Sequence, residues 1–233
     1  MLMATGPTKP STARVILFLG APGSGKGTQS SWLSQQLGVS CLSTGEILRS
    51  EAKRNTPAGY RLRQVLCSGS LVSDEMVCAA VGARLRRDAA GVILDGFPRT
   101  LPQAVFLDDL LVERGWPRPT VIHLHVPRHE LLRRMTLRRQ CAVCGAIYNL
   151  VSRPSLRGSR CEKDGGALVQ RDDDSEATAL RRIGEFEALS APLIEYYRGS
   201  DYRRVDGSRD PDLVAADLLE IVTREEVCAP AFA

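Results

Sequence analysis

The sequence predicts an α/β fold, a parallel sheet with helices on both of its faces. Apolar runs of strand length, such as 15–19 and 91–95, alternate along the chain with stretches of helical periodicity, and strands in such an alternation pair in parallel. The segment 140–170 breaks the alternation, because it lacks periodicity and is rich in glycine, serine, proline and cysteine. The 233 residues therefore suffice for one substantial core that carries an insertion with its own support.

The first strand-to-helix turn is rich in glycine. Residues 20–28 read GAPGSGKGT and directly follow the apolar run 15–19. The first N–H groups of a helix have no partner within the helix and carry partial positive charge, so they can bind a phosphate. The glycines let the backbone curl around the anion and Lys26 adds a charge, while Thr28 supplies the hydroxyl because Gly27 intervenes. The stretch is a P-loop and indicates nucleotide binding.

The other elements follow from local patterns. Ser43, with Glu46 three residues later, predicts a capping box at the start of a helix. Apolar positions at helical spacing and short apolar runs predict the remaining helices and strands. The predicted helices cover 26–37, 43–54, 58–66, 73–87, 101–115, 128–139, 175–198 and 211–224, and the predicted strands cover 15–19, 40–42, 91–95, 121–126 and 202–205.

One strand ends on a carboxylate. The apolar run 91–94 is followed directly by Asp95. A P-loop needs a carboxylate on a neighbouring strand to hold magnesium through water. Asp95 is the predicted partner of the P-loop in a magnesium nucleotide site.

The insertion carries a metal-ligand pattern. Cys141 and Cys144 form one pair, and after sixteen intervening residues Cys161 and Asp164 form a second pair with the same spacing. Three thiolates and one carboxylate complete a closed tetrahedral zinc site without an open position for substrate. Glu162 is an alternative fourth ligand. A closed site predicts a structural role, in which the metal stabilises the fold of the insertion.

Arginines recur at the ends of strands and beside the insertion. The planar fork of arginine binds phosphate through two hydrogen bonds, so these arginines predict a site for several phosphates. Arg134 and Arg138 are predicted to lie on one helix face. The arginines of this group are Arg49, Arg99, Arg134, Arg138, Arg171 and Arg182.

Composition limits the possible partners. With 43% hydrophobic and 25% charged residues, the chain has the composition of a soluble globular protein. No apolar run approaches the length of a membrane span, and residues 1–13 lack the apolar segment of a signal peptide, which favours the cytoplasm. A net charge of +4 does not favour nucleic acid, and no apolar stripe is left unassigned, so we expect a monomer.

Five sequence segments, in this order along the chain, resemble the adenylate kinases: GAPGSGKGTQ, LSTGEILR, DGFPRTLPQA, RRQCAVCGAIY and QRDDDSEAT. The resemblance runs from about 14 to 222 and is to the form with a long, zinc-binding lid. It implies a P-loop NTPase-type parallel sheet flanked by helices, with a helical AMP-binding insertion and a zinc-binding lid insertion. The implied division is a core of 14–42, 73–136 and 175–224, an AMP-binding domain of 43–72 and a lid of 137–174.

The resemblance also implies roles for individual residues. Arg134 would stack on the adenine of ATP, Gln103 would read the adenine of AMP, and Arg49 and Arg99 would hold the AMP phosphate. The implied ATP site is Gly23, Ser24, Gly25, Lys26, Gly27, Thr28, Arg134, Arg138, Gly207, Ser208 and Arg209. The implied AMP site is Thr44, Arg49, Gly69, Ser70, Leu71, Val72, Gly96, Arg99, Gln103, Arg171 and Arg182. The implied catalytic residues are Lys26, Arg99, Arg138, Arg171 and Arg182.

The resemblance implies reversible phosphoryl transfer from ATP to AMP with magnesium, giving two ADP. Two departures from the family pattern, Glu46 for a more usual aspartate and Asn149 where histidine is frequent, do not touch the transferred phosphate. A kinase with UMP or CMP as acceptor, or with GTP as donor, is the nearest alternative, although Gln103 and the long lid favour adenine nucleotides. A more distant one is a nucleic-acid-binding zinc knuckle with a P-loop switch, which would need exposed aromatic and basic residues on the knuckle.

Overall fold

Five parallel strands form the central sheet of the computed structural model, which describes residues 13–68, 72–85 and 91–224. The strands are β1 (Arg14–Leu19), β2 (Ser40–Ser43), β3 (Gly91–Asp95), β4 (Thr120–His125) and β8 (Asp201–Asp206). The strand order is β2-β3-β1-β4-β8, and every neighbouring pair is parallel. This arrangement confirms the predicted α/β fold.

Helices cover both faces of this sheet, as the continuous apolar character of its strands requires. Successive side chains of β1 point to opposite faces. The helices are α1 (Lys26–Leu37), α2 (Thr44–Ala52), α3 (Pro57–Ser68), α4 (Asp74–Leu85), α5 (Leu101–Glu113), α6 (Arg128–Thr136), α7 (Glu176–Tyr197) and α8 (Pro211–Arg224). Val15 and Leu17 pack with side chains of α4, α5 and α7, and Ile16 and Phe18 pack with side chains of α1 and α8. Within the described residues, no helix combines the length and apolar character that a bilayer span requires.

The insertion between α6 and α7 forms a second, antiparallel sheet of three short strands in the order β6-β5-β7. Its buried cluster is small and contains Cys141, Tyr148 and Cys161. A cluster of this size cannot offset the entropy of ordering the segment, which agrees with support by a metal. The strands are β5 (Arg138–Cys141), β6 (Ile147–Asn149) and β7 (Leu168–Val169).

Two local predictions are wrong. Helix α6 ends at Thr136, so Arg138 lies on β5 and shares no helix face with Arg134; pairing between β5 and β6 replaces the last helical turn. Ser43 is the N-cap residue of α2 but makes no side-chain capping bond. Its hydroxyl donates to Asp95 Oδ2 at 3.2 Å, a charge-assisted bond that fixes the side chain toward β3.

Candidate active site

The glycine-rich loop joins β1 to α1, as the sequence predicts. Gly23 and Gly25 have φ values of 86° and 95°, a region that side chains other than glycine rarely adopt. A Cβ atom on Gly23 would lie 2.9 Å from Met135 Cγ, so the loop also needs glycine for space. Gly25 is the N-cap residue of α1 and offers no capping side chain. The first N–H groups of α1 can therefore bind an anion.

Lys26 lies folded back along this loop. Its ammonium group donates to Gly20 O at 2.6 Å and to Ala21 O at 2.9 Å. Burial, partly offset by the charge of Asp95, lowers the pKa of Lys26 to about 8. The buried hydroxyl of Ser24 has no hydrogen-bond partner among the described residues. A charged ammonium without a carboxylate contact and an unpaired hydroxyl are groups that a phosphate would satisfy.

Asp95 lies beside the loop at the end of β3. In the sheet register it stands opposite Phe18 of β1, and a Cβ atom on Gly27 would lie 3.3 Å from Asp95 Oδ2. This close approach favours a glycine after Lys26. The carboxylate is placed where the sequence predicts the magnesium partner of the loop, and carboxylate oxygens are ligands that suit that ion.

Two aspartates hold two of the predicted arginines. Arg138 donates to both oxygens of Asp174, at 2.7 and 2.5 Å, and Arg182 contacts Asp173 Oδ2 at 2.8 Å. Asp174 is fully buried, in the single turn of 3-10 helix Asp172–Asp174. Burial alone would raise the pKa of Asp173, but nearby arginines, Arg182 foremost, outweigh it and lower the pKa. Neither aspartate was predicted from the sequence to have a role in the site.

The arginine cluster carries more positive charge than its aspartates neutralise. Burial lowers the pKa of Arg99 and of Arg182. Burial, together with the charges of Arg138 and Arg49, lowers the pKa of Arg171 to about 9. All of these side chains stay protonated at neutral pH and repel one another. Such a site favours an anion with several charges.

The predicted acceptor side is assembled around Gly96. Thr44 Oγ1 donates to Gly96 O at 3.0 Å, and Arg99 Nε donates to the same oxygen at 2.9 Å. The side-chain amide of Gln103 accepts from the backbone N–H of Arg99 at 2.8 Å. The guanidinium of Arg49 lies next to Gly45, because a Cβ atom added to Gly45 would be 3.0 Å from Arg49 Nη1.

Not all of the predicted acceptor residues join this group. Val72 is partly buried against the core. Gly69, Ser70 and Leu71 lie outside the described residues.

Arg134 lies at the predicted site for the adenine of ATP. Its guanidinium donates to Gly207 O at 2.8 Å, to Ser208 O at 3.3 Å and to Glu130 Oε1 at 2.8 Å. A Cβ atom on Gly207 would lie 3.1 Å from Ser24 O, so these residues adjoin the glycine-rich loop. The side chain of Arg209 pairs with Asp217 at 2.6 Å.

The ligand atoms of Cys141, Cys144, Cys161 and Asp164 all lie within 4.8 Å of one another. Cys141 Sγ is 3.3 Å from Asp164 Oδ1, and the sulfur atoms of Cys144 and Cys161 are 3.6 Å apart. Glu162, the alternative fourth ligand, instead accepts a hydrogen bond from Leu156 N at 2.7 Å and is outside the cluster. Three sulfurs and one carboxylate oxygen fit a tetrahedral zinc ion.

Comparison with known proteins identifies the family. A family model described as "Adenylate kinase" matches residues 18–202. The chain belongs to the adenylate kinase family. An adenylate kinase of Archaeoglobus fulgidus is 41% identical over 213 residues, covering 90% of this chain and 98% of the relative. Adenylate kinases of Geobacter sp. (strain M21) and Desulforudis audaxviator are 43% and 41% identical, covering 89% and 90% of this chain and 98% and 99% of the relatives.

Family membership confirms the predicted class of enzyme, a nucleotide-binding phosphotransferase. Three carboxylates of this adenylate kinase that position other site residues were not predicted from the sequence. They are Asp173, Asp174 and Glu130. Acidic residues usually lie in solvent. The presence of Asp173 and Asp174 within the segment QRDDDSEAT was the available signal, but their burial is visible only in the folded chain.

Proposed function

We propose that the glycine-rich loop and the acceptor side around Gly96 form the two halves of one site, in which this enzyme transfers the γ-phosphoryl group of ATP to AMP and gives two ADP. The position of Asp95 carries the proposal. Its carboxylate approaches Gly27 of the loop and accepts from Ser43, while its backbone oxygen lies 3.3 Å from Thr44 Oγ1. One residue thus adjoins both halves, and the family match over nearly all of the chain supports the reaction.

The donor half would bind the phosphates of ATP. The N–H groups at the start of α1 and the ammonium of Lys26 would contact the β and γ phosphates. Lys26 would exchange its two carbonyl contacts for phosphate oxygens. Mg²⁺ bound with the nucleotide near Asp95 would neutralise charge on those oxygens. Arg134, oriented by Glu130 and by Gly207, would stack on the adenine.

The acceptor half would present the AMP phosphate to the donor. Arg49 and Arg99 would hold this phosphate, and Gln103 would contact the base. The second pKa of a phosphate monoester is about 6, so at neutral pH the attacking oxygen is already anionic. No general base is therefore needed, and catalysis depends on positioning and on charge stabilisation.

Arg138, Arg171 and Arg182 would stabilise the charge on the phosphoryl group during transfer. Their mutual repulsion in the ligand-free chain is relieved when anionic oxygens enter. Asp173 and Asp174 fix two of these forks before substrate binds, so little reorganisation is needed in the transition state.

The insertion 137–174 would act as the lid, 43–72 as the AMP-binding domain and the remaining segments as the core. A lid excludes water, which would otherwise compete with AMP as acceptor. Cys141, Cys144, Cys161 and Asp164 would hold one structural zinc ion that supports the lid. Zinc needs these thiols reduced, which favours the cytoplasm, and we expect the enzyme to act there as a monomer.

The test is a coupled assay of ADP formation from ATP and AMP, with and without Mg²⁺. We expect magnesium-dependent turnover, with AMP preferred over CMP and UMP and ATP preferred over GTP as donor. A preference for another acceptor or donor would redirect the assignment within the nucleoside monophosphate kinases. Salt-dependent RNA binding without any phosphotransfer would overturn the assignment as an enzyme of this reaction.

A further inference from the structure

The side-chain amide of Gln103 is held at both of its ends. Gln103 is buried, with 3% of its surface exposed. Its Oε1 accepts from the backbone N–H of Arg99 at 2.8 Å, and its Nε2 donates to Asp74 Oδ1 at 2.6 Å. Asp74 is the first residue of α4 and Gln103 is in the first turn of α5, so the second bond joins two helices.

These two partners allow one orientation of the amide. A backbone N–H group only donates, and an ionised carboxylate only accepts. Rotating the amide by half a turn would set an N–H group of Gln103 against the N–H of Arg99, and its oxygen against the carboxylate of Asp74. The carboxylate is itself fixed, because its Oδ2 accepts from Thr100 Oγ1 at 2.8 Å.

We infer that Asp74 is a positioning residue for recognition of the acceptor base, because it fixes the order in which Gln103 presents its hydrogen-bonding groups. The inference rests on the proposed role of Gln103 as the residue that reads the base of AMP. An amide has two N–H donors and two oxygen lone pairs, and the bonds to Asp74 and Arg99 use one of each. One donor and one acceptor remain, in fixed order, for the base.

This order separates adenine from hypoxanthine. Adenine presents a donor amino group beside an acceptor ring nitrogen, which is the pair that a glutamine amide binds with two hydrogen bonds. Hypoxanthine carries an acceptor oxygen and a ring N–H at the corresponding positions, so the same amide would face unpaired groups. A site built to form these two hydrogen bonds strongly rejects an analogue that leaves its polar groups unpaired. Asp74 therefore contributes to the preference for AMP over IMP without touching either nucleotide.

The experiment compares kcat/KM for AMP and IMP in the full-length enzyme with saturating ATP. For Asp74→Ala we expect about a tenfold loss of kcat/KM for AMP, mainly through KM, and about a tenfold fall in the AMP to IMP ratio. Glu75→Ala is the matched control, since it removes an exposed carboxylate from the same first turn of α4, and we expect an unchanged ratio. Asp74→Asn should retain most of the preference, because its side-chain oxygen can still accept from Gln103 Nε2.

A double mutant shows whether Asp74 acts through Gln103. In a Gln103→Ala background, adding Asp74→Ala should leave the AMP to IMP ratio unchanged. An equal loss for both acceptors, or the same loss of ratio in both backgrounds, would assign Asp74 a purely structural role and overturn the inference. If Asp74→Ala does not fold, Asp74→Ser keeps a polar helix start with a side chain too short to reach Gln103.

The same measurements separate this inference from the proposed function. A wild-type enzyme without preference for AMP, or a Gln103→Ala variant with an intact preference, would remove the acceptor assignment and this inference with it. A preference that depends on Gln103 but not on Asp74 would overturn the role of Asp74 alone.

Discussion

Replacing Asp174 by asparagine should lower the free energy of unfolding by about 3 kcal/mol, the lower end of the range for breaking a buried ion pair. Asp174 is fully buried and accepts both hydrogen bonds of the Arg138 fork, while Arg182 Nη1 lies 3.6 Å away. The arginine side chains are only 17% and 16% exposed, so water screens little of their charge. Asparagine keeps the volume and one acceptor oxygen, but it leaves a buried positive charge without its partner.

The expected shift in melting temperature is about 6–12 °C, since each kcal/mol shifts a chain of this size by roughly 2–4 °C. Urea and thermal unfolding followed by circular dichroism would measure both quantities in the ligand-free enzyme. Asp172→Asn is the matched control, because Asp172 is an exposed carboxylate in the same 3-10 turn, and its effect should stay within about 0.5 kcal/mol.

Nucleotide should partly rescue the Asp174→Asn variant. Phosphate oxygens would replace the lost carboxylate as partners of Arg138, so bound ligand should raise the melting temperature of the variant by more than that of the wild type. An Asp174→Asn variant as stable as Asp172→Asn would refute the view that this carboxylate neutralises the arginine cluster before substrate binds.

The other predictions concern the phosphate loop and the lid. Lys26→Ala should lower kcat by at least about 100-fold with an unchanged circular dichroism spectrum, and near wild-type turnover in the coupled assay would count against its role. Because the pKa of Lys26 is lowered to about 8, its ammonium is present below that pH and is lost above it, so kcat/KM for ATP should fall as pH rises through about 8; a profile that stays flat to pH 9.5 would contradict this. Elemental analysis should find one zinc ion per chain in the wild type and in Glu162→Gln, but a reduced content in Asp164→Ala, and equal zinc in both variants would exclude Asp164 as the fourth ligand.

The fold and the donor loop could be predicted because their signals are local. A continuous apolar run such as that of β1 and a glycine-rich turn before a helix are read directly from neighbouring residues. The strands of the lid have between two and four residues, too few for a periodic pattern. The hydroxyl of Ser43 was predicted to cap its own helix, but its acceptor, Asp95, is distant in sequence and became known only from the fold.

The same limit explains why the supporting carboxylates escaped prediction. A run of aspartates, as at 172–174, is typical of a solvated turn, and nothing local distinguishes the exposed Asp172 from the buried Asp174. The spacing of the arginines indicates a phosphate site, but not which cations are neutralised in the ligand-free chain. That distinction depends on the contact of Asp174 with Arg138 of β5, which lies 36 residues earlier in the sequence, and on the contact of Asp173 with Arg182 of α7.

The balance of charge in the site connects its stability to its function. Six cations, Lys26, Arg49, Arg99, Arg138, Arg171 and Arg182, interact electrostatically with four carboxylates, Asp95, Asp173, Asp174 and Glu185. More carboxylates would stabilise the ligand-free fold but would compete with phosphate for the arginine forks. Fewer would leave too many buried charges unpaired for the fold to tolerate. The excess of cations therefore reflects a compromise, in which the nucleotide phosphates complete a neutralisation that the protein alone leaves unfinished.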